Sequence, residues 1–395
     1  MKRKAALGVG VLLLASVLPL RAQESKSESS KLDLTQPYLL LATQRTSTMQ
    51  SELNEAAAAG YRVVVGCRTG GGEYAILLEK VAEPPDLYRY TLLATHRTST
   101  MQKELEATAS EGFHVLPRVI MGGETEIVAV LENAPGPPTT SEYLLLATNL
   151  TGTLQRELRE ALEQGYEVVG MVRGDESIGI SGEHMVVLKK DTQSSGDSST
   201  QAPEQAMPGP SEDYRLLATE KTSTMQKELD KAAAEGYRLL AGSPTSSSEI
   251  MMLVGKTTHP PKTFEYKLLA TNRPSTLQKE LNNTANKGFR LIPQTAVGKR
   301  GTTGGWKVGL LTGGNSAFTP DEIVAVMEKG AASANLFQYL VLDTSRTSTM
   351  QKEISQAVKE GYEVAAAAGS PESGKGDSKT VPANLIVILE KAANP

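Results

Sequence analysis

The sequence predicts an α+β protein of six tandem strand-helix-strand-strand repeats, each a three-stranded sheet with one helix on one face. Three observations carry this prediction. A motif close to Tyr-x-Leu-Leu-Ala-Thr recurs, a similar helical run follows each copy, and a Gly-Tyr or Gly-Phe pair ends each run before a second apolar stretch. The copies begin at Tyr38, Tyr90, Tyr143, Tyr214, Tyr266 and Tyr339.

The elements of repeat one follow from its periodicity. Tyr38, Leu40 and Ala42 alternate with other residues, which predicts a strand. Met49 and Leu53 lie at helical spacing, so one stripe of the next element is expected to face the sheet.

The ends of this helix also have sequence signals. Ser47 and Gln50 have the spacing of a capping box, in which the serine caps the helix and the glutamine reaches back to the amide of the cap. The pair recurs as Ser99/Gln102, Ser223/Gln226, Ser275/Gln278 and Ser348/Gln351. Gly60 and its equivalents predict a left-handed turn that ends the helix.

The repeats are predicted at 38–80, 90–133, 143–190, 214–256, 266–329 and 339–391. We expect the third strand of each to lie between the first two. One helix covers only one face of a sheet, and so small a unit buries little surface by itself, so neighbouring copies should pack together. Residues 191–213 are rich in Ser, Gln, Gly and Pro and predict a flexible linker, which favours two lobes of three repeats, 38–190 and 214–391.

The amino-terminal segment predicts export. Residues 1–22 combine a basic start, an apolar run and a small residue, Ala22, at a cleavage position, which is typical of a signal peptide. We expect a mature terminus near Gln23, a disordered leader over 23–37 and a secreted or periplasmic protein without stable membrane insertion. An uncleaved anchor is less favoured because the apolar run is short.

The composition excludes some classes of partner. The chain of 395 residues has 41 basic and 45 acidic residues. The signal segment contains Lys2, Arg3, Lys4 and Arg21, so 37 basic residues would remain after cleavage and the net charge would be −8. This balance argues against nucleic acid as a partner. Cys67 is the sole cysteine, so the chain has no internal disulfide.

The repeat resembles a known family. Tyr-x-Leu-Leu-Ala-Thr, a helix ending in Glu-Gly-Tyr-Glu-Val and a closing Val-Ile-Leu-Glu-Lys are similar to the bacterial domain-of-unknown-function 4177 family. The resemblance covers six segments, most of the mature chain, although Gly-Tyr or Gly-Phe stands here where the family usually has Gly-Trp. It implies a strand-helix-strand-strand fold and no activity.

The sequence predicts no catalytic, cofactor-binding or metal-binding residues. His96, His114, His184 and His259 occupy different repeat positions without a second ligand at metal-binding spacing. No serine or cysteine triad can be named, which favours a protein that is not an enzyme. Trp306, in the insertion of repeat five, is either a buried loop anchor or an exposed contact.

One polar feature recurs: a basic residue just before the helix. It is a candidate anion-binding site because helix amino ends carry partial positive charge. The series is Arg45, Arg97, Lys221, Arg273 and Arg346, with Leu150 in repeat three.

These observations favour an exported, non-enzymatic repeat protein that acts as a multivalent binding or structural scaffold in the cell envelope or outside the cell. Its partner would be a protein or an acidic envelope polymer. The alternative is an enzyme or inhibitor with a single site at a repeat junction or in the repeat-five insertion.

Overall fold

The computed structural model describes residues 32–69, 73–81, 87–122, 126–135, 140–173, 184–191, 213–244, 249–256, 264–299, 322–330, 336–344, 346–369 and 385–393. The predicted signal peptide, the leader up to residue 31, the interior of the 191–213 linker and Trp306 lie outside these residues.

The first three repeats each contain a strand, a helix and two further strands. Repeat one has β1 (Tyr38–Thr43), α1 (Thr46–Ala58), β2 (Tyr61–Arg68) and β3 (Tyr74–Lys80). Repeat two has β4 (Arg89–Thr95), α2 (Thr98–Ser110), β5 (His114–Gly122) and β6 (Ile127–Asn133). Repeat three has β7 (Ser141–Thr148), α3 (Thr151–Glu163), β8 (Glu167–Arg173) and β9 (His184–Asp191).

The last three repeats follow the same order, and repeat five adds a short interruption. Repeat four has β10 (Tyr214–Thr219), α4 (Thr222–Ala234), β11 (Tyr237–Pro244) and β12 (Ile250–Lys256). Repeat five has β13 (Phe264–Thr271), α5 (Pro274–Ala285), β14 (Arg290–Leu291), a 3₁₀ turn (Pro293–Thr295), β15 (Val297–Lys299) and β16 (Glu322–Gly330). Repeat six has β17 (Phe337–Thr344), α6 (Thr347–Lys359), β18 (Glu363–Gly369) and β19 (Leu385–Ala392).

The third strand of every repeat lies in the middle of its sheet, as predicted. In repeat one the order is β1-β3-β2, and β3 is antiparallel to both neighbours. The first and second strands are therefore parallel to each other, and the helix connects them. In repeat five the second strand is divided into β14 and β15, which both pair with β16.

The glycine that follows each helix adopts a left-handed conformation, also as predicted. Its φ lies between 84° and 86° in all six repeats, a region that residues with a Cβ rarely enter. These residues are Gly60, Gly112, Gly165, Gly236, Gly288 and Gly361.

Each helix packs between two sheets, its own and that of the next repeat. The core around Met101 and Leu105 of α2, for example, contains Ile127 from repeat two together with Tyr143 and Met185 from repeat three. Both faces of each central strand are therefore covered, and β3 is buried from Tyr74 to Leu78. This confirms that neighbouring copies supply the second half of each core.

The repeats form a closed ring, and the predicted division into two lobes is wrong. Repeats three and four share a core that includes Leu158 and Leu253, although the 191–213 linker separates them in the chain. Repeats six and one share another, with Ile354 from α6 and Leu77 from β3. All six belong to one unit, Asp33–Pro395. A head-to-tail interface that repeats with rotation closes into a ring when the rotation sums to one turn.

Candidate functional site

One face of the ring carries the helix starts together with the ends of the second strands. The first and second strands are parallel, so the first strand reaches the helix start and the second reaches the hairpin at the same end of the sheet. We call this end, with its six helix starts, the ends of the second strands and the starts of the third strands, the helix-start face. Loops at one end of a rigid scaffold are common places for binding.

The helix starts are built differently from the predicted capping box. Helix α1 begins at Thr46, its N-cap is Arg45, and no side chain bonds the cap. Ser47 is thus the second residue of the helix, and it is exposed. The equivalent serines of repeats two, four, five and six, and Gly152 of repeat three, lie at corresponding places.

The threonine that ends the first strand shapes the turn instead. The amide of Arg45 donates a hydrogen bond to Oγ1 of Thr43 at 3.1 Å. The same contact, at 3.2–3.3 Å, recurs at Thr95, Thr148, Thr219, Thr271 and Thr344. This explains why threonine closes the recurring motif.

The glutamine of the predicted capping box joins neighbouring repeats. Gln50 Nε2 donates to the carbonyl of Tyr90 at 2.9 Å, and its Oε1 accepts from the amide of Leu92 at 2.7 Å. The side-chain amide therefore pairs with the outer edge of β4, where backbone groups would otherwise lack partners. Gln102, Gln155, Gln226 and Gln351 make both contacts; in repeat five, Gln278 and Asn282 share them.

The five predicted cations are N-cap residues with exposed side chains. They are Arg45, Arg97, Lys221, Arg273 and Arg346. Leu150 takes this position in repeat three and is 62% exposed. Equivalent residues of a closed ring lie on one circle, so the cations are distributed around the helix-start face, one in each of five repeats. The structure does not bring them together into one site.

A cavity of about 340 Å³ opens where repeat six meets repeat one. Arg346 and Ser348 line it from the start of α6, and Thr69 and Glu73 line it from the hairpin of repeat one. The helix start of one repeat thus lies beside the hairpin of the next.

The opposite end of the ring carries a recurring contact that the sequence analysis missed. The aromatic residue after each helix-ending glycine lies beneath a cation of its own repeat, with 4.3–5.7 Å from the charged group to the ring centroid. The pairs are Tyr61/Lys80, Phe113/Arg89, Tyr166/Lys190, Tyr237/Arg215, Phe289/Lys329 and Tyr362/Lys391. Such cation–π contacts stabilise the end where strands and linkers meet.

The junction of repeats two and three brings together a serine, a histidine and an aspartate that sequence reasoning could not connect. Ser141 Oγ donates to Asp191 at 2.7 Å and lies 3.4 Å from Nδ1 of His114. Burial lowers the pKa of His114, with Lys189 contributing in the same direction. Ser141 is only 7% exposed, and its proton points at the carboxylate instead of the imidazole. This arrangement joins two repeats and lacks the geometry of a serine nucleophile.

Comparison with models of protein families gives no match, and no curated protein matches the chain. The resemblance to the 4177 family therefore remains a resemblance of motifs. Among the described residues, none of the helices has the length and apolar character needed to cross a bilayer. Within the same residues, no group of three or more His, Cys, Asp or Glu side chains is placed to hold a metal ion.

Proposed function

We propose that this protein is an exported, non-enzymatic ring that binds an acidic polymer or an acidic protein surface of the cell envelope through several equivalent weak sites. The observation that carries the proposal is the exposed cation at the N-cap of five helices on one face. Export rests on the signal-like segment 1–22.

The chemistry of each helix start suits a weak anion site. The first amides of α1 have no side-chain cap, and Arg45 supplies a full positive charge beside them. A helix amino end also carries partial positive charge, which favours carboxylate, phosphate or sulfate. One such exposed site is weak in salt solution, because ions screen it.

Several weak sites on one ring give a higher overall affinity for a partner that contacts more than one of them. Its junctions hold the sites at fixed separations, so a partner that has bound one site meets the next at high effective concentration. Repeats packed into a closed ring also lose less entropy on binding than repeats on flexible linkers would.

The test compares two fivefold variants. In the first, Arg45, Arg97, Lys221, Arg273 and Arg346 become Gln. The matched control changes Lys103, Arg156, Lys227, Lys279 and Lys352 to Gln; these are exposed cations one residue beyond the junction glutamine, on the body of the helices. Both variants lose five charges.

Binding is measured against polyglutamate and a sulfated polysaccharide, with envelope extract as a third sample. We expect the N-cap variant to lose at least about tenfold in apparent affinity, because avidity multiplies small losses at each site. The control should lose much less, and binding by the parent should weaken with added salt. Equal losses in both variants would contradict the proposal.

The alternative, a single site at a repeat junction, is favoured by the cavity that Arg346 and Glu73 line. The variant Arg346→Gln separates the two functions. A multivalent surface loses only part of its avidity when one of five cations is removed, whereas a single site at this junction loses nearly all of its binding.

A further inference from the structure

Three junctions of the ring share a charged contact, and the junction between repeats six and one has two carboxylates in its place. At three junctions, an arginine of one repeat pairs with a glutamate of the next: Arg62 with Glu132 at 2.9 Å, Arg238 with Glu328 at 2.9 Å, and Arg290 with Glu390 at 2.8 Å. The arginine lies near the start of the second strand, and the glutamate lies near the end of the third.

A tyrosine completes each of these contacts. Tyr90 donates its hydroxyl proton to Glu132 at 2.8 Å and accepts a bond from the amide of Val63 in the preceding repeat at 3.0 Å. Tyr266 likewise donates its hydroxyl proton to Glu328 and accepts a bond from the amide of Leu239 in the preceding repeat. Removal from water raises the pKa of both phenols, so they stay protonated and act as donors.

Where repeat six meets repeat one, a carboxylate replaces the arginine. The strand registers place Glu363 at the position of Arg62 and Arg290, and Glu79 at the position of Glu132 and Glu390. Tyr38 bonds Glu79 and the backbone of Val364, so the tyrosine contact is kept. The negative charge of Glu363 acts on both Tyr38 and Glu79.

The nearby cations are engaged elsewhere. Arg62 lies opposite Glu79 in the sheet, but its guanidinium pairs with Glu132 of repeat two. Glu390, opposite Glu363, pairs with Arg290. Arg118 of repeat two bonds the carbonyl of Ala365, and burial lowers its pKa to about 10 against the opposing effects of Glu390 and Tyr38.

This junction also joins two repeats that do not follow each other in the chain, so it can separate without stretching a linker. We propose that the ring opens and closes reversibly between repeats six and one, and that a proton on Glu79, which lies beside the charge of Glu363, holds it closed.

The direction of the pH effect follows from Glu79. Burial raises the pKa of this carboxyl above its ordinary 4.5, Glu363 adds to the rise, and the bond from Tyr38 opposes it. The closed ring therefore binds protons more tightly than the open one. The stability that protonation of Glu79 adds to the closed ring is fully present at a pH below the ordinary pKa of a glutamate. It is lost as the pH rises through the raised pKa of Glu79.

Two equivalent amides report on opening. Leu40 donates to Gln351 across this junction, and Leu92 donates to Gln50 across the junction of repeats one and two, both at 2.7 Å. Residue-resolved hydrogen exchange gives a protection factor for each amide. The ratio of the protection factor of Leu40 to that of Leu92 is compared at pH 5 and pH 8. We expect this ratio to fall with rising pH. The fall should be up to about tenfold for each unit by which the pKa of Glu79 in the closed ring exceeds its pKa in the open ring.

Three variants test the cause. Glu363→Arg introduces the arginine–glutamate pairing of the three junctions described above and should keep the ratio high at pH 8. Glu79→Gln leaves an acceptor for Tyr38, removes the charge and should abolish the pH dependence. Arg238→Gln is the matched control, because it breaks the equivalent ion pair with Glu328 without changing a charge near Glu79, and the ratio should keep its pH dependence. A parent ratio that is the same at both pH values, or one that stays low in Glu363→Arg, would overturn the proposal.

Discussion

At the scale of single residues, glycines near the ring centre allow the second strands to touch. A Cβ built on Gly66 would lie 2.6 Å from Cγ1 of Val119 in repeat two, and one on Gly170 would lie 2.8 Å from Cδ1 of Ile120. The broad bulge of β5, between Val115 and Ile120, thus fits between glycines of the two adjacent repeats.

We therefore expect Gly66→Ala to destabilise the protein by about 1–3 kcal/mol, the usual effect of overpacking a filled core. The matched control is Gly152→Ala in α3, where an added Cβ meets nothing within 4 Å. It should stabilise by up to about 1 kcal/mol, because alanine favours a helix over glycine. Urea unfolding of both variants measures the difference. A neutral Gly66→Ala would show that the second strands can move apart freely.

Some of the glycines with a structural role were predictable from the sequence. It identified the helix-ending glycines because a left-handed turn has a strong local signal. It missed Gly66 and Gly170, since the groups that exclude a side chain there belong to other repeats.

At the scale of elements, the helices contribute polar contacts as well as an apolar stripe. Each helix presents a glutamine amide to the edge of the next sheet, or in repeat five a glutamine and an asparagine. The edge strands are thus protected from pairing with other chains.

The variant Gln226→Ala should destabilise by about 1–3 kcal/mol, because it leaves the carbonyl of Tyr266 and the amide of Leu268 without these partners. The adjacent Lys227→Ala is the control, since its side chain is exposed, and we expect less than about 0.5 kcal/mol. Thermal unfolding compares them. Equal effects would mean that water replaces the glutamine at no cost.

The kind and order of the elements were predictable, but the role of this glutamine was not. Periodicity and glycine positions give strand, helix, strand and strand in each copy. Ser47 and Gln50 have the spacing of a capping box even though the helix starts at Thr46. The true partners of Gln50 lie about 40 residues away in the chain, and no local pattern reveals them.

At the scale of the whole molecule, the 191–213 linker does not separate two lobes. The cores between repeats three and four and between repeats six and one connect the two halves. The length of the linker predicted a boundary that the structure does not have. Linker length describes the chain between repeats and carries no information about which surfaces of the repeats meet.

This changes the expected result of limited proteolysis. A cut within 192–212 should give two fragments under denaturing conditions, while native gel filtration still shows one particle of the uncut size. The reason is that both junctions bury apolar clusters that the cut leaves in place. The uncut protein on the same column is the control. Two half-sized particles under native conditions would disprove the closed ring.

Closure also fixes how many repeats the molecule can contain. The six repeats are similar in sequence, and a junction that turns by about one-sixth of a circle closes only when six of them are present. With five or seven, Tyr38 and Gln351 would no longer meet, and two unpaired sheet surfaces would face water. The rotation at each junction therefore sets the number of repeats that one ring contains.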